Sequence, residues 1–220
     1  MIERYLIQSP LAHLGLGSRT GARTEDAGVA MAEQPFFGIV NLRGPRADEA
    51  FQGAFKGFVG HDLPAAAGKS LQGTRTTAFW LSPDEWWIVD KSGNWGSEPG
   101  TGTRLAAEFR HALAGMPVAV TDISDSLAVI RLAGPRARQV LQKACPMDLH
   151  PQHFGAGQCA HTRLAKAAAL IHLVADESPA GQSGPGGPEF DIYVVRSFAE
   201  YVWHWLESAG QEYGVAVVSA

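Results

Sequence analysis

The residues best suited to chemistry in this sequence are five cysteines and histidines in its second half. They are Cys145, His150, His153, Cys159 and His161. Thiolates and imidazoles at such spacing are typical ligands of structural zinc. The sequence has no Cys-x-x-Cys pair, however, and Cys145 falls on the apolar stripe of a predicted helix, where a thiol acts as a small hydrophobic group. We therefore predict no metal ligands in this chain.

Two other groupings have the composition of a catalytic or binding site. Asp122 and Asp125 flank Ser124 at the end of a predicted strand. Arginines near two Gly-Pro turns could clamp a carboxylate through paired hydrogen bonds; they are Arg43, Arg46, Arg131 and Arg136. An Asp-Ile-Ser-Asp sequence is more typical of a turn, and arginines at helix starts are commonly solvated. We predict no catalytic and no cofactor-binding residues from these groups.

Glycine-rich motifs for nucleotides are incomplete. Gly68-Lys69-Ser70 has the ending of a phosphate-binding loop, but the glycine required five positions earlier is Leu63. Gly15-Leu16-Gly17 is a fragment of a dinucleotide loop and follows no predicted strand. The sequence also contains no Gly-x-Ser-x-Gly nucleophile elbow.

Tryptophan provides a different kind of candidate, since the chain has six. Trp86 and Trp87 are neighbours in a predicted strand, so their side chains point to opposite faces. Trp203 and Trp205 lie roughly 200° apart on a predicted helix. Aromatic pairs that cannot all be buried within one half of the chain indicate a partner surface, for which we select Trp86, Trp87 and Trp203. The alternative is that the two halves bury each other's aromatic side chains.

An internal repeat must position these residues. Asn41–Ala47 recurs as Arg131–Ala137, with Gly-Pro-Arg-Ala in common at an offset of 90 residues. Apolar residues then follow at positions i, i+3, i+4, i+7 and i+8 in both copies, which predicts a one-sided helix. The proline suits the first helical position, and the glycine before it allows the strand to turn.

The remaining elements recur in the same order. In the first half we predict strands at 74–81, 86–89 and 118–123 and a helix at 104–114. In the second half we predict strands at 159–164, 168–174, 190–195 and 215–218. The last helix of that half begins with a capping box at Ser197 and Glu200, and its predicted buried stripe is Phe198, Val202, Trp205, Leu206 and Ala209.

These elements predict an α+β fold of two tandem split βαβ (ferredoxin-like) repeats, at residues 35–123 and 124–220, within one compact domain. Residues 1–34 lack periodicity and are predicted to form an extended N-terminal arm. The segments Ser92–Thr103 and Asp176–Pro188 are rich in Gly, Pro and Ser and are predicted to be exposed, mobile loops.

Composition excludes several classes of protein. The net charge is -4, so the clustered cations that bind nucleic acid are not indicated. The apolar runs are too short to cross a membrane, and the N-terminus has no apolar signal core. Two cysteines do not make a disulfide framework. We therefore expect a cytoplasmic protein.

Three segments together resemble the gamma subunit of heterotetrameric sarcosine oxidase. They are Leu81–Trp87, Leu132–Pro151 and Phe190–Glu200. More distantly, both halves resemble the folate-binding domain of the glycine-cleavage aminomethyltransferase. The resemblance implies a non-catalytic subunit of a complex that oxidatively demethylates sarcosine to glycine with hydrogen peroxide and, with tetrahydrofolate, forms 5,10-methylenetetrahydrofolate.

The resemblance also implies where the cofactors lie. FAD, FMN and NAD are expected in the alpha and beta subunits and zinc in delta, while gamma packs mainly on alpha and carries no cofactor. Lys69–Phe79 is too short for the carboxylate-bearing hairpin of the aminomethyltransferase, and Gly184–Glu189 replaces its Gly-Tyr-Thr-Gly-Glu segment. Both departures count against folate binding by this chain.

Three alternatives remain open at this point. The chain could be the equivalent subunit of a related N-methyl amino-acid dehydrogenase, since substrate choice would lie in another subunit. It could instead be a free-standing folate-binding or one-carbon-transfer protein. A small zinc protein that uses the Cys145–His161 cluster is the third alternative.

Overall fold

The computed structural model describes residues 8–20, 26–91, 101–180 and 184–219. The chain divides into two compact units, which we call the five-stranded unit (residues 36–126) and the six-stranded unit (residues 1–35 and 127–220). The strands of the described residues are β1 (Val29–Glu33), β2 (Gly38–Arg43), β3 (Ser70–Gln72), β4 (Thr76–Ser82), β5 (Glu85–Asp90), β6 (Ala119–Asp122), β7 (Leu127–Ala133), β8 (Cys159–Leu164), β9 (Ala167–Ser178), β10 (Gly187–Val195) and β11 (Val215–Val217). The helices are α1 (Leu16–Arg19), α2 (Glu49–Val59), α3 (Thr101–Ala112), α4 (Ala137–Gln142) and α5 (Ala199–Gly210).

The five-stranded unit packs α2 and α3 on one face of a sheet ordered β3-β4-β5-β2-β6. Asp48 is the N-cap of α2. Its carboxylate accepts hydrogen bonds from the backbone N–H groups of Ala50 and Phe51, which the first helical turn leaves without partners. The buried side chains of both helices meet alternate residues of the strands, which is the pattern of a sheet with one face in the core. This core consists of Val40, Leu42, Phe51, Phe55, Ala78, Trp86, Ile88, Leu105, Ala106, Phe109 and Leu113.

The six-stranded unit has the strand order β11-β1-β7-β10-β9-β8. Its core lies between the sheet and helices α4 and α5, with Val140 and Leu141 from α4 and Trp203 and Leu206 from α5. If β1 is set aside, the strand order corresponds, element by element, to that of the five-stranded unit. In both units, β1 aside, the first strand lies between the fourth and the last strand of the unit, and a helix follows the first strand.

The N-terminal residues are where the structure departs most from the prediction. Residues 1–34 were predicted to form an extended arm, but β1 is inserted between β7 and β11, antiparallel to the former and parallel to the latter. Leu11 is completely buried in the six-stranded core. The prediction failed because β1 pairs with strands roughly 100 and 190 residues away, and such pairing leaves no local signal beyond a short apolar run.

A polar contact fixes the segment that carries Leu11. The hydroxyl of Ser9 donates to the Glu33 carboxylate at 2.8 Å, and the Leu11 N–H donates to the same group at 3.4 Å. Burial raises the pKa of Glu33, and these two hydrogen bonds partly oppose that effect. The guanidinium of Arg196 donates to the carbonyl of Gln8 at 2.7 Å. Residues 8–20 therefore belong to the folded six-stranded unit.

The predicted mobile loops are partly regular structure. Thr101–Thr103 form the start of α3, and Asp176–Ser178 complete β9. Gly187 and Pro188 begin β10. Residues 92–100 and 181–183 lie outside the described residues.

The two Gly-Pro turns need glycine for different reasons. Gly134 has φ +129°, and a Cβ atom on it would lie 2.6 Å from the carbonyl oxygen of Gly28 in the adjacent chain. A Cβ atom on Gly44 would instead lie 2.7 Å from the ring of Phe51. The shared sequence thus serves a backbone requirement in one unit and a close side-chain approach in the other.

A buried ion pair joins β7 to β10 on the sheet face opposite the helices. Arg131 and Asp191 are directly paired in the strand register. Two parallel hydrogen bonds join them, from Nε to Oδ1 at 2.9 Å and from Nη2 to Oδ2 at 3.1 Å, while Nη1 lies 2.9 Å from Glu189. Burial alone would lower the pKa of Arg131, but Asp191 and Glu189 raise it above its ordinary value. Arg131 therefore holds the sheet together, which corrects the prediction that it solvates a helix start.

We expect Asp191→Ala to destabilise the six-stranded unit strongly. The change leaves a largely buried guanidinium with only Glu189, and breaking a buried pair costs about 3–5 kcal/mol. Urea unfolding should show this loss. Asp62→Asn is the matched control, because the Lys56–Asp62 pair is mostly exposed, and such pairs contribute less than about 1 kcal/mol. Equal effects of the two changes would contradict the structural role of Asp191.

Glycine substitutions should separate backbone strain from helix propensity. Gly134→Ala forces a side chain into a left-handed conformation against the Gly28 carbonyl, so we expect a clear fall in the melting temperature. At Gly53, inside α2, an added Cβ atom meets nothing within 4 Å. Gly53→Ala should therefore stabilise the five-stranded unit by about 0.5–1 kcal/mol. A fall in melting temperature for both variants would contradict this assignment.

Candidate functional site

The Cys and His residues that suggested zinc lie in different environments. Cys145 is buried on the core side of the six-stranded sheet, where its sulfur lies 4.0 Å from the Thr162 hydroxyl. Cys159 begins β8 and points to the opposite face, because Thr162 and Cys159 are an odd number of residues apart. His153 is exposed and bonds to Asp148. Within the described ranges, no three His, Cys, Asp or Glu side chains are grouped closely enough to hold a metal ion.

The Asp-Ile-Ser-Asp segment anchors the first turn of α3. The Asp122 carboxylate accepts hydrogen bonds from the Thr103 hydroxyl at 2.9 Å and from the Ser124 hydroxyl at 2.6 Å. The Ser124 hydroxyl oxygen in turn accepts from the Ile39 N–H at 2.9 Å. These contacts tie α3 to β2 and β6, so the turn interpretation is the one that the geometry supports.

The two segments that the sequence comparison marked as departures from the aminomethyltransferase are both within the described residues. Lys69–Phe79 was predicted to be too short for the carboxylate-bearing hairpin of that family, and within it β3 pairs with the start of β4 in a short hairpin. This hairpin carries no Asp or Glu. In the Gly184–Glu189 segment the carboxylate of Glu189 contacts Arg131 and accepts a hydrogen bond from the Ser178 hydroxyl at 3.2 Å. Its charge is therefore used within the six-stranded unit.

A cleft of ≈ 430 Å³ opens beside the start of α4 and is lined in part by Pro135, Arg138, His150 and Asp176. Arg138 is the buried cation in its wall. Its guanidinium donates to the carbonyls of Leu149 and Phe154 and pairs with Asp176. The donors of Arg138 thus join α4 to the following loop and to β9.

The structure corrects the proposed tryptophan surface. Trp86 and Trp203 are both completely buried, in the cores of the five-stranded and the six-stranded unit respectively. The indole N–H of Trp86 donates to the carbonyl of Pro64 at 3.1 Å. A side chain buried in this way cannot reach a partner without unfolding its unit. Trp87 is half-buried on the other face of β5 and remains a predicted partner residue.

The helix after β10 is rotated from its predicted orientation. We predicted that it would begin at Ser197 and bury Phe198 and Trp205. Instead, residues 196–198 form a 3-10 turn and α5 begins at Ala199 without a side-chain cap. The fully buried stripe is Ala199, Val202, Trp203, Leu206 and Gly210, which shares Val202 and Leu206 with the prediction. Trp205 and Ala209 are partly buried against the same core, whereas Phe198 is exposed.

This rotation exposes an apolar surface that the sequence did not reveal. Val195, Phe198 and Tyr201, which we call the 195–201 patch, are 48%, 42% and 38% exposed. The rings of Phe198 and Tyr201 meet edge to face, with centroids 6.3 Å apart. Their spacing of three residues aligns side chains on one side of a 3-10 turn and on one side of a helix.

Charged groups around the 195–201 patch are paired within the chain. The Glu200 carboxylate lies 3.2 Å from His13 and 3.8 Å from His204. Arg19 pairs with Glu207, about two turns beyond Glu200 along α5. These pairs are formed with the N-terminal segment, so that segment and α5 together make the rim of the patch. No helix of the described residues is long and apolar enough to cross a membrane.

Comparison with known proteins is consistent over nearly the whole chain. The family model described as sarcosine oxidase, gamma subunit family, matches residues 43–212. The sarcosine oxidase subunit gamma of Corynebacterium sp. strain U-96 is 30% identical over 215 residues, which cover 97% of this chain and 95% of that protein.

Solved structures give the same result. A chain of the heterotetrameric sarcosine oxidase from Corynebacterium sp. U-96, solved in complex with pyrrole 2-carboxylate, has a TM-score of 0.75 and 29% identity, covering 96% of this chain and 98% of that one. The aminomethyltransferase T of the glycine cleavage system from Bartonella henselae has the same fold, with a TM-score of 0.67 at 16% identity, over 97% of this chain and 59% of that one. On the family match and the full-length likeness, this chain belongs to the sarcosine oxidase gamma subunit family.

Proposed function

We propose that this chain is the non-catalytic gamma subunit of a heterotetrameric sarcosine oxidase, with alpha, beta and delta subunits as partners and alpha as the main one. The observation that carries the proposal is likeness at full length in both directions, 97% of this chain and 95% of the Corynebacterium gamma subunit. The likeness thus spans both units and extends beyond a single motif.

The proposed complex oxidatively demethylates sarcosine to glycine, producing hydrogen peroxide and, with tetrahydrofolate, 5,10-methylenetetrahydrofolate. We place FAD, FMN, NAD and zinc in the partner subunits and the complex in the cytoplasm. The internal use of Asp122, Arg138 and the Arg131–Asp191 pair supports a chain whose polar groups serve its own fold. A gamma-type subunit of a related N-methyl amino-acid dehydrogenase would have the same features, since the substrate would bind another subunit.

We further propose that the two units are copies of one split βαβ repeat. The support is the shared Gly-Pro-Arg-Ala turn and the corresponding strand orders, β6-β2-β5-β4-β3 and, without β1, β11-β7-β10-β9-β8. In each unit the second helix packs beside the first on one face of the sheet. Strand β1 then represents an addition that widens the second copy by one strand.

Co-expression tests the subunit role directly. The tagged chain, expressed with the alpha, beta and delta subunits encoded by the same organism, should co-purify with them in equimolar amounts. The purified complex should oxidise sarcosine and release hydrogen peroxide. The chain expressed alone should be colourless and inactive. Recovery of active flavoprotein subunits without the tagged chain would contradict the proposal.

Folate binding separates the subunit role from a free-standing one-carbon-transfer protein. Because the β3–β4 hairpin has no carboxylate and Glu189 is engaged by Arg131, we expect no quenching of tryptophan fluorescence by micromolar tetrahydrofolate. An aminomethyltransferase serves as the positive control. Saturable quenching of the lone chain in this range would favour the free-standing protein.

Substitution of Trp86 should mainly lower the stability of the lone chain, whereas substitution of Trp87 should mainly weaken assembly. Trp86→Ala removes a completely buried indole and should cost about 3–5 kcal/mol of unfolding free energy. Trp87→Ala should change the melting temperature of the lone chain less and weaken assembly more. Thermal unfolding and co-purification of the two variants provide the ranking. A larger loss of assembly for a folded Trp86→Ala than for Trp87→Ala would contradict these roles.

A further inference from the structure

We propose that the 195–201 patch is the docking surface through which this chain binds another subunit of the sarcosine oxidase assembly, one that offers an apolar pocket for the rings of Phe198 and Tyr201. The inference rests on the proposed function, because it requires that a heterologous partner exists. It adds the residues and the chemistry of the contact.

The first argument is the concentration of exposed apolar surface. Among the described residues, the large hydrophobic side chains that are exposed are Phe36, Leu71, Val195, Phe198 and Tyr201. Three of these five fall within seven residues, whereas scattered single hydrophobics are normal on any surface. Grouped apolar side chains surrounded by polar residues mark contact sites.

The second argument is that the patch is rigid before any partner arrives. Val195 ends β10, Phe198 lies in the 3-10 turn, and Tyr201 lies in the first turn of α5. The burial of Trp203 in the six-stranded core fixes the rotation of α5. Edge-to-face contact between Phe198 and Tyr201 orients both rings. Little side-chain entropy is then lost on binding, as at the aromatic centres of known interfaces.

The third argument concerns the charge of the occupant. Glu207 pairs with Arg19, and the Glu200 carboxylate lies 3.2 Å from the His13 imidazole, so the rim of the patch carries both acidic and basic groups. Arg196 donates to the Gln8 carbonyl. An anionic membrane or a nucleic acid would be attracted by clustered cations. The rim of acidic and basic groups instead fits a protein surface that is apolar at its centre and polar at its edge.

A double variant tests the proposal in the assembled protein. Phe198→Ser with Tyr201→Ser should weaken binding of the tagged chain to the other subunits by at least about 30-fold, the effect of losing an aromatic centre. Leu71→Ser is the matched control, because Leu71 is 38% exposed, like Tyr201, but lies in the other unit. The control should change the dissociation constant by less than about twofold. The melting temperature of each lone chain should be unchanged.

Val195→Lys provides a second variant that spares both rings. A lysine at this exposed strand end is tolerated by the lone chain, but it places an unpaired charge in the apolar contact and should also weaken binding by at least tenfold. Normal assembly of both patch variants alongside normal assembly of the wild type would overturn the docking surface and leave the subunit role intact. Failure of the wild type to assemble would overturn both.

Two other occupants of the patch, a second copy of this chain and a lipid surface, would give different results. A second copy of this chain would appear as a dimer of the lone wild type in sedimentation, converted to a monomer by the double variant. Lipid would appear as co-sedimentation of the lone chain with neutral or anionic vesicles, abolished by the same variant. Either result would overturn the proposed partner, while a monomer that ignores vesicles and assembles through the patch would support it.

Discussion

Burial of Trp203 beneath α5 determines what the six-stranded unit presents to its surroundings. Each residue of an α-helix advances by about 100°, so the placement of one large side chain in the core fixes the direction of every other. With Trp203 and Leu206 inward, Tyr201 lies on the far side of the helix, and the 3-10 turn before it brings Phe198 to the same surface. The burial of Trp203 therefore determines both which side chains of α5 enter the core and which are exposed.

The N-terminal residues depend on the same helix and sheet. Strand β1 fills the position between β7 and β11, and Leu11 fills the adjoining core. Ser9 contacts Glu33 of β1, and His13 contacts Glu200 of α5, so this segment lies against both elements. A segment with no periodicity of its own is thus ordered by pairing with distant strands and by contacts with α5. This explains why the second unit is one strand wider than the first.

Local signals in the sequence predicted much of this fold. The Gly-Pro-Arg-Ala turns and the apolar positions of α2 and α4 depend on residues close together in the chain, whereas the division into residues 36–126 and the rest depends on contacts of residues 1–35 that are distant in sequence. The inward direction of one of Trp86 and Trp87 followed from strand alternation, and Trp86 is that residue. Family membership was also predictable, because it rests on segments that the sequence displays directly.

Other features depended on distant partners or on small changes of geometry. Asp191 meets Arg131 only because β10 pairs with β7 in one register, and a shift by one residue would turn the carboxylate to the helix side. The capping box at Ser197 predicted that the helix begins there, whereas residues 196–198 form a 3-10 turn; Val202 and Leu206 are buried as predicted, but Phe198 is exposed and Trp203 is buried. The exposed apolar patch was missed because Phe198 was predicted to lie on the buried stripe, and Val195 was assigned only to the preceding strand.

Several buried polar groups of the described residues are used within their own units. Asp122 and Asp191 accept hydrogen bonds from donors within their own units, and Arg138 donates to carbonyls of its own unit. The donor–acceptor distances include 2.6 Å at Asp122, 2.9 and 3.1 Å at Asp191, and 3.0 Å at Arg138. A group that binds a ligand must give up or share such contacts, and unmade buried hydrogen bonds are costly. The side chains that can contact a partner without breaking these hydrogen bonds are therefore those on the surface. In the six-stranded unit, the exposed side chains of α5 are determined by the burial of Trp203.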